Sequence, residues 1–144
     1  ILVGRDEELP FVILDSDSPG KQIATQLRSS LYENATDHLI ALGEICGFDQ
    51  AEIEDLLPTD VMAYVITRYL RGPEEEFADV VNSSQPIVPQ VESYAHKHNI
   101  ELDKGWKVEV AKRVKDRLIR HPEIIADENE KMKIWQTLFD RVAV

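Results

Sequence analysis

The sequence predicts a mixed α/β chain: a partial Rossmann-like layer whose first strands are missing, followed by an all-helical extension. Two observations carry that expectation. A short apolar run rich in β-branched residues ends in an Asp-rich turn and a capped helix, and almost everything beyond residue 60 has helical periodicity. A third is the scarcity of strands, since two strand-like runs are too few for an independent sheet. The chain starts at Ile1 rather than Met and enters its first strand within about ten residues. It therefore reads as a C-terminal fragment, with residues 1–60 the partial α/β unit and 61–144 the helical extension.

Residues 9–14, Leu-Pro-Phe-Val-Ile-Leu, have the pattern of a fully buried strand. Asp15-Ser16-Asp17-Ser18-Pro19-Gly20 ends it, with Ser18 as the expected helix cap and Pro19 as the first helical residue. Ile23, Leu27 and Leu31 recur four apart and mark the inner face of that helix. Residues 38–45 read as a second strand, closed by Gly47. Pro58, Thr59 and Asp60 stop the following segment and introduce a helix over 61–71. Gly72-Pro73 breaks it, a short helix is expected over 74–81, and residues 82–89 form a loop. Helices over 90–98, 105–121 and 129–142 complete the chain, with no internal repeat and no low-complexity linker.

The 144 residues, 43% of them hydrophobic, suffice for one compact domain. Sixteen Lys/Arg against 27 Asp/Glu give a net charge of −11, which argues against a uniformly basic, nucleic-acid-coating surface but not against a local basic strip. No apolar run approaches the roughly 18 residues needed to cross a bilayer, and Arg5, Asp6, Glu7 and Glu8 interrupt any signal-peptide pattern, so no membrane is expected as a partner. The single cysteine, Cys46, forms no intramolecular disulfide or cysteine zinc site, so a reducing cytoplasm is the expected compartment. Cys46 itself reads as core rather than nucleophile. His96 and His98 point to different faces of a helix, and Trp106 and Trp135 fit helix-packing positions. Glu74-Glu75-Glu76 and Asp127-Glu128 suit helix starts.

Three features carry chemistry. Asp15 and Asp17 lie two apart at the end of a strand, where open α/β sheets bind ligands, and close carboxylates repel unless a cation sits between them. One or two carboxylates with substrate phosphate suit Mg²⁺; the plain alternative is a capped acidic turn. Glu54 and Asp55, after the second strand, could approach the same edge or form a solvated turn. Lys107 falls on the core-facing stripe of Val110, Ala111, Val114 and Leu118, in the first helical turn. There desolvation and the helix dipole both disfavour a cation, so a nearby anion is expected, unless the ammonium snorkels to water. Residues 104–120 also carry Lys104, Lys112, Arg113, Lys115, Arg117 and Arg120 against only Glu109 and Asp116. Such a strip either contacts phosphates or pairs with acidic helices elsewhere in the chain.

The string VILDSDSPGKQIATQL resembles the second motif of the TOPRIM domain, shared by topoisomerases, primases and certain nucleases: a strand, Asp-x-Asp, a downstream glycine, then a helix. Haloacid-dehalogenase phosphatases also place Asp-x-Asp after a strand, but Ser18-Pro19-Gly20 departs from what usually follows there. DSDSPGK, IEDLLP, IVPQVESYA and GWKVEVAKRVKDRL look like the C-terminal region of the OLD (overcoming lysogenization defect) family, over residues 9–120. Members of that family join an N-terminal ABC-type ATPase to a C-terminal TOPRIM nuclease.

The resemblance implies a DNA endonuclease in which Asp15 and Asp17 hold Mg²⁺ or Mn²⁺, Glu54 and Asp55 complete the metal site, and Lys107 is catalytic with the two aspartates. ATP would act only at the ATPase portion, which is absent here. Lys104, Lys112, Arg113 and Lys115 are the expected DNA contacts. Other implied partners are the ATPase portion of the same polypeptide and, as one option, a second copy in a homodimer. The first TOPRIM motif, a glutamate after an earlier strand, has no counterpart and is expected upstream, so the fragment alone should be weakly active or inactive. A different class of reading is a non-catalytic helical interaction module, with no metal and with Lys107 remote from Asp15. A dehalogenase-type phosphatase would use Asp15 as nucleophile.

Overall fold

The parallel pairing of two three-residue strands needs a crossover, and the first helix supplies it. In the computed structural model, which describes residues 9–125 and 130–143, β1 (Val12–Leu14) lies beside β2 (Leu39–Ala41), with Val12 opposite Leu39 and Leu14 opposite Ala41. Helix α1 (Ser18–Arg28) connects them. The chain is thus mixed α/β, dominated by helix.

Asp17, rather than Ser18, caps α1: its Oδ1 accepts the Gly20 N–H at 2.8 Å, and Ser18 and Pro19 begin the helix. The helix also lies differently from the expected face. Gly20 and Ala24 are buried, whereas Ile23 is 47% and Leu31 48% exposed. The cause is close approach, because Gly20 rests on the Asp15 carbonyl and fixes the roll of α1. With one neighbouring strand, β1 is not fully buried, and Ile13 is 42% exposed.

The expected second strand over 38–45 is extended only from Leu39 to Ala41 and then turns into α2 (Leu42–Cys46). Ser16 explains the switch: its Oγ accepts the Gly43 N–H at 2.7 Å, supplying an acceptor at the start of α2. Gly47, at φ +80°, ends the helix in the left-handed region and returns its N–H to the Gly43 carbonyl.

A 3₁₀ turn at Ile53–Leu56 leads into α3 (Thr59–Tyr69), α4 (Phe77–Val80), α5 (Ile87–Lys97) and α6 (Trp106–Arg120). Another 3₁₀ turn, at Pro122–Ile125, precedes α7 (Glu130–Val142). Helix α5 starts inside the segment expected to be loop, since Pro89 falls in its first turn, where a missing N–H costs little. Helix α4 is shorter than expected, and Glu74, Glu75 and Glu76 precede it. Asp127, Glu128 and the expected helix start at residue 129 lie outside the described residues, as do residues 1–8.

Two apolar clusters hold the molecule. Met62, Ile66, Phe77, Val91, Val110 and Val114 join α3, α4, α5 and α6. Ile40, Leu42, Ala51, Leu56 and Leu138 form the other, with Trp135 against it. The last helix therefore returns to the first unit rather than extending the helical one.

Candidate functional site

Five consecutive residues, 52–56, connect most of the fold. The Ile53 N–H donates to Asp15 Oδ1 at 3.1 Å, tying the turn to the end of β1. One residue earlier, Glu52 Oε2 accepts a hydrogen bond and ion pair from Lys107 Nζ, from the first turn of α6. Asp55 Oδ2 accepts the Glu52 N–H at 2.9 Å, and its Oδ1 accepts the Ile87 N–H at 2.8 Å, capping α5. From α7, Lys131 Nζ donates to the Asp55 carbonyl at 2.7 Å and Trp135 Nε1 to the Leu56 carbonyl at 2.9 Å. The aspartate turn is held from its other side too, since the Ser16 N–H donates to the Ala51 carbonyl at 2.7 Å.

The electrostatics follow from crowding acids around one cation. Burial pushes the Glu52 carboxyl above the usual range even though Lys107 pulls it down, and the charges of Glu54 and Asp15 push it further up. Burial alone would lower the Lys107 pKa. The hydrogen bond to Glu52, with the charges of Glu54, Glu52 and Glu92, outweighs it and leaves the ammonium above its ordinary value. The anion expected beside Lys107 is present. Glu54 Oε2 is buried with no hydrogen-bond partner among the described residues. Burial likewise raises the pKa of the half-buried Cys46 thiol.

Asp55 is 4% exposed, and burial raises its carboxyl above the ordinary aspartate range despite the two backbone N–H groups. A raised folded value contributes stability that is complete below the unfolded value and is lost as pH rises through the folded one. Asp55→Asn cannot titrate. Its stability deficit against the parent chain should therefore grow as the pH is lowered from 7 to about 3.5, in urea unfolding at fixed ionic strength. A deficit that shrinks on acidification would remove the raised carboxyl.

The expected site residues thus divide. Asp15 and Lys107 meet on neighbouring residues of one turn. Asp17 uses Oδ1 to cap α1. Asp55 has both oxygens taken by backbone N–H groups, whereas Glu54 presents the orphaned oxygen. Glu52, which sequence reasoning passed over, is the partner of Lys107. The spacing of Glu52 and Asp55, three apart around a short helical turn, is the signal that could have separated a capping role from a free carboxylate. Lys107 sits at the edge of the buried stripe, because Ala111 is exposed and Trp106, Val110 and Val114 face inward.

The basic strip is also divided. Lys104, Lys112 and Lys115 are exposed to solvent. Arg113, Arg117 and Arg120 instead line a cleft against α3, with Arg113 Nε bonded to Glu109 Oε1 at 3.2 Å.

Among the described residues, no three Asp, Glu, His or Cys side chains are grouped as a ready metal site. The donor set still fits a hard divalent ion held by few protein ligands, because Mg²⁺ commonly takes one or two carboxylates and fills its shell with water and phosphate. The orphaned Glu54 oxygen and the Asp15 oxygen not engaged by Ile53 are of that chemistry. No helix among the described residues is long and apolar enough to cross a membrane. Comparison with protein-family models, curated protein sequences and solved structures gives no match to the chain.

Proposed function

We propose that the chain is the C-terminal part of a divalent-metal-dependent DNA endonuclease, built on a partial Rossmann-like TOPRIM layer and normally attached to an N-terminal ABC-type ATPase, as in the OLD family. The observation that supports it best is that Asp15 and Lys107 bind neighbouring residues of one acidic turn, Ile53 and Glu52.

In this reading Asp15 and Glu54, with Asp17, hold Mg²⁺ or Mn²⁺. When bound, the ion supplies an activated water and neutralises charge on the phosphate. Lys107 places its ammonium against the non-bridging oxygens of the scissile phosphate and offsets charge that develops there. Glu52 positions that ammonium and keeps it protonated. Asp55 fixes the turn that carries both glutamates.

In the polypeptide that includes the ATPase portion, Lys107→Ala and Asp15→Ala are each expected to lower Mn²⁺-dependent DNA cleavage by at least about 10²-fold, with ATP hydrolysis unchanged. Unaltered cleavage in either variant removes that residue from the mechanism. The interaction-module reading has its own support, since Asp17 serves as a helix cap. Wild-type chain that takes up no Mn²⁺ in a titration, and no cleavage by the longer polypeptide, would leave that reading standing.

A further inference from the structure

Among the described residues, several arginines of this acidic chain gather in one place without forming ion pairs, although the charge of Arg117 reaches Glu123. Between α3 and α6 lies an open cleft of about 820 Å³, lined by Arg68, Arg71, Arg113, Arg117 and Arg120 around Tyr64, with only Glu76 and Asp116 as carboxylates. Among the described residues, Arg68, Arg71, Arg117 and Arg120 form no ion pair; Arg113 alone has one, with Glu109. Like charges held this close destabilise the empty site, so a built arginine cleft points to an anion.

The arrangement of the guanidinium groups narrows the ligand. Arg68 stacks over the Tyr64 ring at 3.6 Å from its centroid and Arg117 at 3.5 Å, while Arg113 lies 5.1 Å from the Tyr69 ring. Contact with the Tyr64 ring holds the Arg68 and Arg117 guanidiniums in place and leaves N–H groups to donate. The Arg117 Nε is buried and has no hydrogen-bond partner among the described residues. Two guanidiniums at contact distance also occupy Tyr64, so the ring is not a platform for a nucleobase. Several rigid forks without a stacking platform fit tetrahedral oxyanions, which arginine binds bidentately.

We infer that the α3–α6 cleft is a phosphate-binding site, built to take successive phosphate groups of a polyanion and not its bases. It is separate from the carboxylate turn, because Lys107 and Arg117 stand about 15 Å apart along α6. The inference does not depend on the nuclease reading. The phosphates could belong to a nucleic-acid backbone or to a free polyphosphate, and both are distinguishable.

The test is equilibrium binding by the 144-residue chain, in EDTA, of a fluorescent 20-base-pair DNA duplex and separately of tripolyphosphate. EDTA keeps any divalent ion off the carboxylates, so the result stands apart from the nuclease reading. Arg71→Ala with Arg120→Ala, two exposed positions outside the Tyr64 stack, should weaken binding at least about tenfold and reduce the salt-dependence slope for DNA by about two. Arg68→Lys with Arg117→Lys, which keeps charge and loses the forks, should also weaken it. Lys133→Ala, which removes one positive charge from an exposed position on α7, should leave affinity within about twofold. Duplex binding without tripolyphosphate binding or competition assigns the site to a nucleic-acid backbone, and tight tripolyphosphate binding to a free polyphosphate. If neither probe binds, or if the arginine variants bind like the parent with unchanged circular dichroism, the inference is wrong.

Discussion

Gly20→Ala should cost at least about 3 kcal/mol of stability, at or above the upper end of what overpacked sites usually lose. A methyl group at this position would lie 2.0 Å from the Asp15 carbonyl oxygen, 2.7 Å from its carbon and 2.9 Å from Asp17 Oδ1. Two of those atoms are backbone at the end of β1, so no side chain can swing aside. Either α1 lifts from the strand or the Asp15–Asp17 turn deforms, and both the Asp17 cap and the Asp15 bond to Ile53 are lost with it. Gly105→Ala is the control: nothing lies within 4 Å of its added methyl, and as a change at the N-cap of α6 it should cost no more than about 1 kcal/mol. Urea unfolding of the two variants measures both. A Gly20→Ala chain as stable as the Gly105→Ala chain would mean that α1 does not rest on the Asp15 carbonyl.

Asp55→Ala should be nearly as damaging, by about 2–5 kcal/mol, because two backbone N–H groups lose their acceptor at a site that is 4% exposed. Asp55→Asn keeps one acceptor and should recover part of the loss. The signature of the mechanism is local: amide exchange at Ile87 and Glu52 should accelerate more than that of residues inside α3. Glu54→Gln makes the contrast, since Glu54 Oε2 has no hydrogen-bond partner among the described residues, and its stability should match or exceed that of the parent. Equal losses at positions 54 and 55 would contradict the division between a capping and an orphaned carboxylate.

Much of this was legible in the chain, and the failures share a physical cause. The aspartate turn, the helix that follows it, α3, α6 and the buried Trp106 follow from local pattern: apolar periodicity, a proline in a first turn, a glycine after a helix. Lys107 was identifiable because a cation near a buried stripe implies an anion. Its actual partner was not, because Glu52 and Glu54 are the same residue type and only the turn's three-dimensional course decides which meets α6. The helix over Leu42–Cys46 escaped notice because its N-terminal acceptor, Ser16, lies 27 residues away. The outward roll of α1, with Ile23 exposed, depends on a backbone contact that hydrophobic pattern does not encode. The arginine cleft needed both α3 and α6, and residues 104–120 alone suggested a single strip rather than two faces.

The 52–56 turn also sets the order in which the molecule can be assembled. Its bonds reach Lys107 across 55 residues, Lys131 across 76 and Trp135 across 79. Closing such long loops costs entropy that is recovered only when the distant segment docks. During synthesis from the N-terminus, β1, α1 and the acidic turn emerge long before α6 and α7 can hold them. The carboxylates and the lysine therefore come into register only late, once α6 and α7 have been made. A chain stalled before α7 would carry every acidic residue of the site without the carbonyl anchors that fix their positions.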